Sequence, residues 1–151
     1  EAMRKITYIS RLIYNFMFTN RSKRLTIRVL FLAAWYRMRI LRVPMKKLEP
    51  TFGERDKESP EQDTFENTKH AYWIGRRVER VCDKTPWESK CLVKALIAQH
   101  ILYKEGIHTT LYLGVENSTG KMTAHAWLRC GTVYVTGGDG GNNVMVAKFY
   151  K

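Results

Sequence analysis

Apolar residues recur at three- and four-residue steps along most of this chain and switch to alternation near its C-terminus. The first helical pattern runs over Ile6–Phe18, interrupted by Arg11 and ended by Thr19-Asn20-Arg21-Ser22. A second runs over Leu25–Val43 and is stopped by Pro44. Within it Ile27, Leu30, Phe31, Ala34, Trp35, Met38 and Leu41 form one stripe, and Arg28, Arg37, Arg39 and Arg42 lie largely off it. A polar stretch with Pro50, Gly53 and Pro60 follows and reads as a linker or a long ordered loop. Asp63–Cys82 is a third helix, with Phe65, Ala71, Ile74, Val78 and Val81 apolar. A fourth is expected from Pro86 to Lys104, closed by Gly106. Its start signal is Thr85 as N-cap, Pro86 at the first helical position and Glu88 three residues after the threonine. Thr109–Val115, Met122–Cys130 and Val133–Thr136 then alternate as strands, the first two joined by the turn Asn117-Ser118-Thr119-Gly120. Helices followed by short consecutive strands indicate an α+β fold with a small antiparallel sheet. The expected organisation is a basic helical arm (1–48), a linker or long loop (49–62) and a C-terminal domain (63–151).

Charge sharpens this division. Residues 1–50 hold 12 Lys+Arg and 2 Asp+Glu, a net +10, and residues 51–151 hold 14 and 12, a net +2. Nucleic acid is the partner that charge alone suggests, but no nucleic-acid-binding motif accompanies it. The three cysteines, Cys82, Cys91 and Cys130, form no CxxC pair and no zinc spacing with His125. An odd, small number of cysteines in a chain of this length indicates a reducing, cytoplasmic compartment. No secretory signal is visible, and the run Val29–Tyr36 is far short of the ~20 residues a membrane span needs. Glu1-Ala2 ahead of Met3 reads as an appended remnant, with Met3 the expected native start. Neither a metal nor a cofactor is expected.

The chemistry lies in the last third of the chain. Cys91 is expected in the second turn of its helix, where the positive end of the helix dipole favours thiolate. His125 sits in a strand between two alanines, on one face with Trp127. Asp139 follows in Gly-Gly-Asp-Gly-Gly. A thiol, an imidazole to take its proton and a carboxylate to orient the imidazole make a nucleophilic triad. A three-residue loop at Cys130-Gly131-Thr132, or a bulge, is needed to bring Asp139 to the face of His125. Asn142 and Asn143 are alternatives for the orienting group. His100 is nine residues after Cys91, half a helix turn out of phase, and faces away. Cys82 and Cys130 read as small buried hydrophobes, Trp127 as core, and His70 and His108 as ordinary residues.

The order helix-Cys, strand-His, strand-Asp resembles the papain-like transglutaminase fold. Pro86-Trp87, Cys91-Leu92, Ala95-Leu96, Gly106, Leu111, Gly114-Val115 and Ala124-His125-Ala126-Trp127-Leu128 together resemble the leader peptidase family of lasso-peptide biosynthesis, over roughly residues 25–151. Arg129 stands where that family often has glutamate. The resemblance implies a cysteine peptidase that cuts a precursor peptide between leader and core through a Cys91–His125–Asp139 triad and a thioester. Its implied partners are a leader-recognition protein and an asparagine-synthetase-like cyclase. Two other functions stay open: a non-catalytic transglutaminase-like peptide-binding module, and an acyltransferase using the same triad. For the basic arm the readings are a solvated face on the core, a docking surface for those partners, and an anionic membrane surface.

Overall fold

The computed structural model describes residues 2–14, 22–118 and 121–151. The elements are α1 (Ala2–Tyr14), α2 (Lys23–Arg42), α3 (Met45–Leu48), a 3-10 turn (Glu49–Thr51), β1 (Glu54–Arg55), α4 (Phe65–Cys82), α5 (Cys91–Lys104), β2 (Thr110–Ser118), β3 (Lys121–Cys130), β4 (Val133–Thr136) and β5 (Val144–Tyr150). The end expected for the first helix, at Phe18 and Thr19–Arg21, lies outside the described residues, as do Thr119 and Gly120 of the expected turn. The strands form one five-stranded antiparallel sheet of order β1-β5-β2-β3-β4. The α+β class read from the sequence is the class observed. β1 and β5 have no counterpart in the sequence reading. β5 opens with three exposed apolar residues, Val144–Val146, so alternation is visible only in its second half.

Side-chain alternation divides the sheet into two unlike faces. Leu111, Leu113, Ala126, Leu128, Cys130, Ala147 and Phe149 face α2, α4 and α5 and join the core with them. Tyr112, Gly114, His125, Trp127 and Arg129 lie on the other face. α5 is apolar nearly all round, with Val93, Ala95–Gln99, Ile101 and Leu102 buried, as a helix wedged between a sheet and other helices must be. α4 crosses β4 so closely that a Cβ at Gly75 would lie 1.9 Å from the Val135 carbonyl oxygen.

Two sequence expectations require correction. The helix bearing Cys91 begins at Cys91 and not at Pro86. The Thr85 hydroxyl lies 2.7 Å from the Cys82 carbonyl oxygen and 2.8 Å from that of Trp87, so it serves as a donor to carbonyls and not as a capping acceptor. Residues 85–90 therefore form a loop, and Cys91 takes the first helical position rather than the second turn. In α2, the stripe read from the sequence is the outward one. Val29, Leu32 and Ala33 are buried instead, with Leu25, Tyr36 and Ile40 packed against the core. The helix is apolar on two sides, and spacing alone does not say which side is covered.

The segment 49–62 is an ordered loop. Phe52 is buried and meets Phe149 edge-on at 5.5 Å, and β1 extends the sheet beside β5. Gly106 ends α5 with φ +76°, and the Ile107 N–H donates to the Leu102 carbonyl at 3.0 Å. That is the left-handed helix stop that glycine permits.

Candidate active site

Cys91 is half-buried at the first position of α5. Lys90, its N-cap, provides no side-chain cap. The first N–H groups of a helix have no intrahelical acceptor, and they place partial positive charge beside the thiol. The other two cysteines are buried. Burial pushes the Cys82 thiol up to about 11, and burial together with the Asp63 carboxylate pushes Cys130 up to about 12. Both folded values exceed the ordinary 9.0, so the fold favours the neutral thiols. The stability that this contributes is complete below pH 9.0 and is lost as the pH rises through about 11 and 12. The thermal midpoint is expected to fall over that window, and a Cys82→Ala/Cys130→Ala protein to show a shallower fall.

His125 stands opposite Gly114 in the β2–β3 ladder. Its Nε2 lies 2.7 Å from the Gly137 carbonyl oxygen. A carbonyl oxygen only accepts, so Nε2 carries the proton, and the neutral ring keeps its lone pair on Nδ1. The imidazole also stacks on Trp127, at 5.9 Å and 23°, and Trp127 stacks on Tyr112 at 5.5 Å and 13°. Trp127 fits because Gly114 and Gly140 flank it; a Cβ at either would come within 2.7 or 2.8 Å of the indole. Gly137 is likewise confined: at φ +76°, a Cβ would meet the Ala126 carbonyl oxygen at 2.4 Å.

The β3–β4 hairpin has the two-residue loop Gly131-Thr132, and a register shift at Leu128/Arg129 supplies a bulge. β4 stops at Thr136, and the chain turns through Gly137 and Gly138, both with positive φ. Asp139 is exposed, and its Oδ1 accepts from the Gly141 N–H at 2.9 Å. Asn143 Nδ2 donates to the Gly140 carbonyl at 2.7 Å. Asn142 is exposed. The structure thus joins His125 to Gly137, while Asp139 and Asn143 hold the turn itself. Among the described residues no hydrogen bond joins His125 to Asp139, or the Cys91 Sγ to the imidazole. α5 packs across the inner face of β3 and β4, whereas His125 lies on the outer face near the end of β4.

Several further residues bear on the site by their position. Trp87, in the loop before Cys91, has a buried Nε1 without a partner. Arg37 of α2 donates to the Glu88 carbonyl and braces the same loop. Gln99, two turns beyond Cys91, also has an unpartnered Nε2 but is held inside the core. On the sheet's outer face the buried Arg129 donates to Tyr112 Oη at 2.9 Å, to the Gly131 carbonyl, to Glu58 and to the Ser59 carbonyl at 3.1 Å. It pins the 58–59 segment to the sheet and fixes the phenol on which Trp127 stacks. Burial and the Asp63 contact leave Cys130 structural, and His100 faces Tyr36 of α2, with its Nδ1 3.3 Å from the hydroxyl. Among the described residues no group of His, Cys, Asp and Glu is arranged to hold a metal ion.

A helix that starts on a cysteine and packs on an antiparallel sheet carrying a histidine has the architecture of a transglutaminase-like α+β core. The chain belongs to the transglutaminase-like superfamily, whose family model matches residues 28–148. That is a fold of the cysteine-protease and acyltransferase type. The match begins inside α2, so most of that helix falls within the family domain. No match to the chain was found among curated proteins or among solved structures.

Proposed function

We propose that this protein is a cysteine peptidase that removes the leader from a ribosomally made lasso-precursor peptide. The observation that carries the reading is the placement of Cys91, the one cysteine that is not buried, at the N-terminus of the central helix of a transglutaminase-like domain. His125 is the base. Its Nδ1 lone pair takes the thiol proton, the thiolate attacks the carbonyl at the leader–core junction, and the imidazolium returns the proton to the leaving amine. Water then hydrolyses the leader thioester. Asp139 is the third member, acting through the turn that holds the Gly137 carbonyl on Nε2. No hydrogen bond joins Sγ to the imidazole among the described residues, so this reading requires a working state in which the start of α5 and His125 come within hydrogen-bond reach. A leader-recognition protein and a cyclase complete the assembly in this reading.

The oxyanion takes the Cys91 N–H and the Trp87 Nε1–H as donors, the latter being the one buried, unpartnered donor in the adjoining loop. Trp87→Phe, which keeps an aromatic ring and removes the N–H, is expected to lower kcat about 10²-fold with KM little changed. Steady-state kinetics on the precursor peptide checks this, and an unchanged kcat removes Trp87 from the site. The reading as a whole is tested by incubating the precursor with the protein, with and without a leader-recognition protein, and identifying leader and core by mass spectrometry. No cleavage in either case contradicts it.

A non-catalytic peptide-binding module is the second reading, favoured by the absence of a bond between Cys91 and His125. Iodoacetamide separates the two. Fast alkylation of Cys91 near neutral pH, slowed in His125→Ala, belongs to an enzyme; slow alkylation in both belongs to a module.

A further inference from the structure

We infer that the outer face of α2, together with α1, rests on an anionic lipid surface. α2 is apolar on two sides, and only one is used by the core. On the other, Ile27, Phe31, Trp35, Met38 and Leu41 are 56%, 68%, 44%, 41% and 71% exposed. They lie at helical spacing over about 21 Å of helix, at 1.5 Å per residue. Isolated exposed apolar residues are ordinary, but a continuous stripe of large ones marks an interaction surface.

Charge selects the occupant. Residues 2–48 contain 12 Lys+Arg and no Asp or Glu. Arg24, Arg28 and Arg42 are exposed on α2, and the Arg39 guanidinium lies 6.0 Å from the Trp35 ring centroid. A second copy of the chain does not fit, because two acid-free cationic faces repel each other. Nucleic acid does not fit either, because aliphatic side chains have no role on a phosphate backbone. A surface that is negative at the headgroups and apolar beneath satisfies both the arginines and the stripe. α1 repeats the character. Ile6, Tyr8 and Ile13 are exposed beside Arg11, and no described α1 residue belongs to the core. Two successive basic helices, both with large apolar residues exposed among the described ones, suit an extended plane better than a bounded groove. Exposed tryptophan and tyrosine suit the headgroup level. No helix among the described residues is long and apolar enough to cross a membrane, so this contact lies along the surface. His125 is on the far side of the sheet from α2, so lipid against the helices does not cover it. The inference is independent of the peptidase reading.

The test is cosedimentation of the full chain with vesicles of phosphatidylcholine mixed with phosphatidylglycerol, against phosphatidylcholine alone. Binding is expected to the anionic vesicles and at least about ten-fold weaker to the neutral ones. Arg28→Gln and Arg42→Gln should each lower partitioning about five-fold. Phe31→Gln/Leu41→Gln should lower it about ten-fold or more with an unchanged circular dichroism spectrum, since both side chains are outside the core. Trp35→Phe should bind like the native chain and lose the blue shift of tryptophan emission that anionic vesicles induce. Absent or charge-independent binding overturns the inference. So does binding unaltered by Phe31→Gln/Leu41→Gln, or saturable capture of an acidic protein by this face without vesicle binding.

Discussion

Cys91→Ala is expected to reduce leader release to the uncatalysed rate in a protein that folds as the native chain does. The side chain is half-buried at a helix start and its removal leaves no large cavity, so the change falls on chemistry. His125→Ala should cost nearly as much, about 10⁴-fold or more, because nucleophile and base act as a unit and their losses do not add. Asp139→Ala should be milder, within about 10²-fold. The difference follows from the turn: the Gly137 carbonyl holds Nε2, and Asp139 holds the Gly141 N–H. Kinetics on the precursor peptide for the three variants gives the order directly. Loss on Asp139→Ala equal to that on His125→Ala would mean that the carboxylate reaches the imidazole in the working state. A greater loss on Asn143→Ala would transfer the orienting role to that side of the turn.

Gly75→Ala is expected to be the most destabilising of the conservative substitutions. The added Cβ would stand 1.9 Å from the Val135 carbonyl oxygen and 2.7 Å from its carbon, both main-chain atoms of β4. Neither can rotate away, so α4 must lift from the sheet and open the buried seam around Ile74 and Val78. The cost is about 3 kcal/mol or more, at the upper end for overpacking. A glycine in mid-helix already costs about 1 kcal/mol relative to alanine, which is the sign that close approach keeps it there. Gly106→Asn makes the control: its position is left-handed but open, with no atom near the missing Cβ, and the cost should stay under about 1 kcal/mol. Urea unfolding of the two variants measures both. A Gly75→Ala protein as stable as the native chain would mean that α4 and β4 do not approach this closely at Gly75.

The helices and the β2–β3–β4 meander were legible because their apolar periods are clean. α4 starts at Phe65, two residues later than read, because the Thr64 hydroxyl caps it by accepting from the Asn67 N–H at 3.2 Å. Where the sequence misled, two local signals competed. Thr85-Pro86 looks like a helix start, but a hydroxyl can donate to carbonyls as readily as it caps. α2 is apolar on two sides, and the more regular stripe is the uncovered one. Within the proposed site, Cys91 and His125 are singled out by residue type and order alone. The group on the imidazole did not, because it is a main-chain carbonyl with no letter of its own; the closest sign is Gly137, where no side chain fits. Arg129 and Tyr112 gave no sign of their structural roles, for another reason. Their importance comes from a cross-strand stack and a buried guanidinium, which register and packing create and which no spacing motif encodes.

If Cys91 is the nucleophile, it carries the leader as a thioester during turnover, and that species can be trapped. The protein is mixed with precursor peptide and a leader-recognition protein, quenched in acid within the first turnover, and weighed intact before peptide mapping. The expected species is heavier by the leader less one water, mapped to Cys91, absent from Cys91→Ala and depleted in His125→Ala. Leader release without that adduct in a Cys91→Ala protein, or an adduct on another residue, would contradict this role for Cys91.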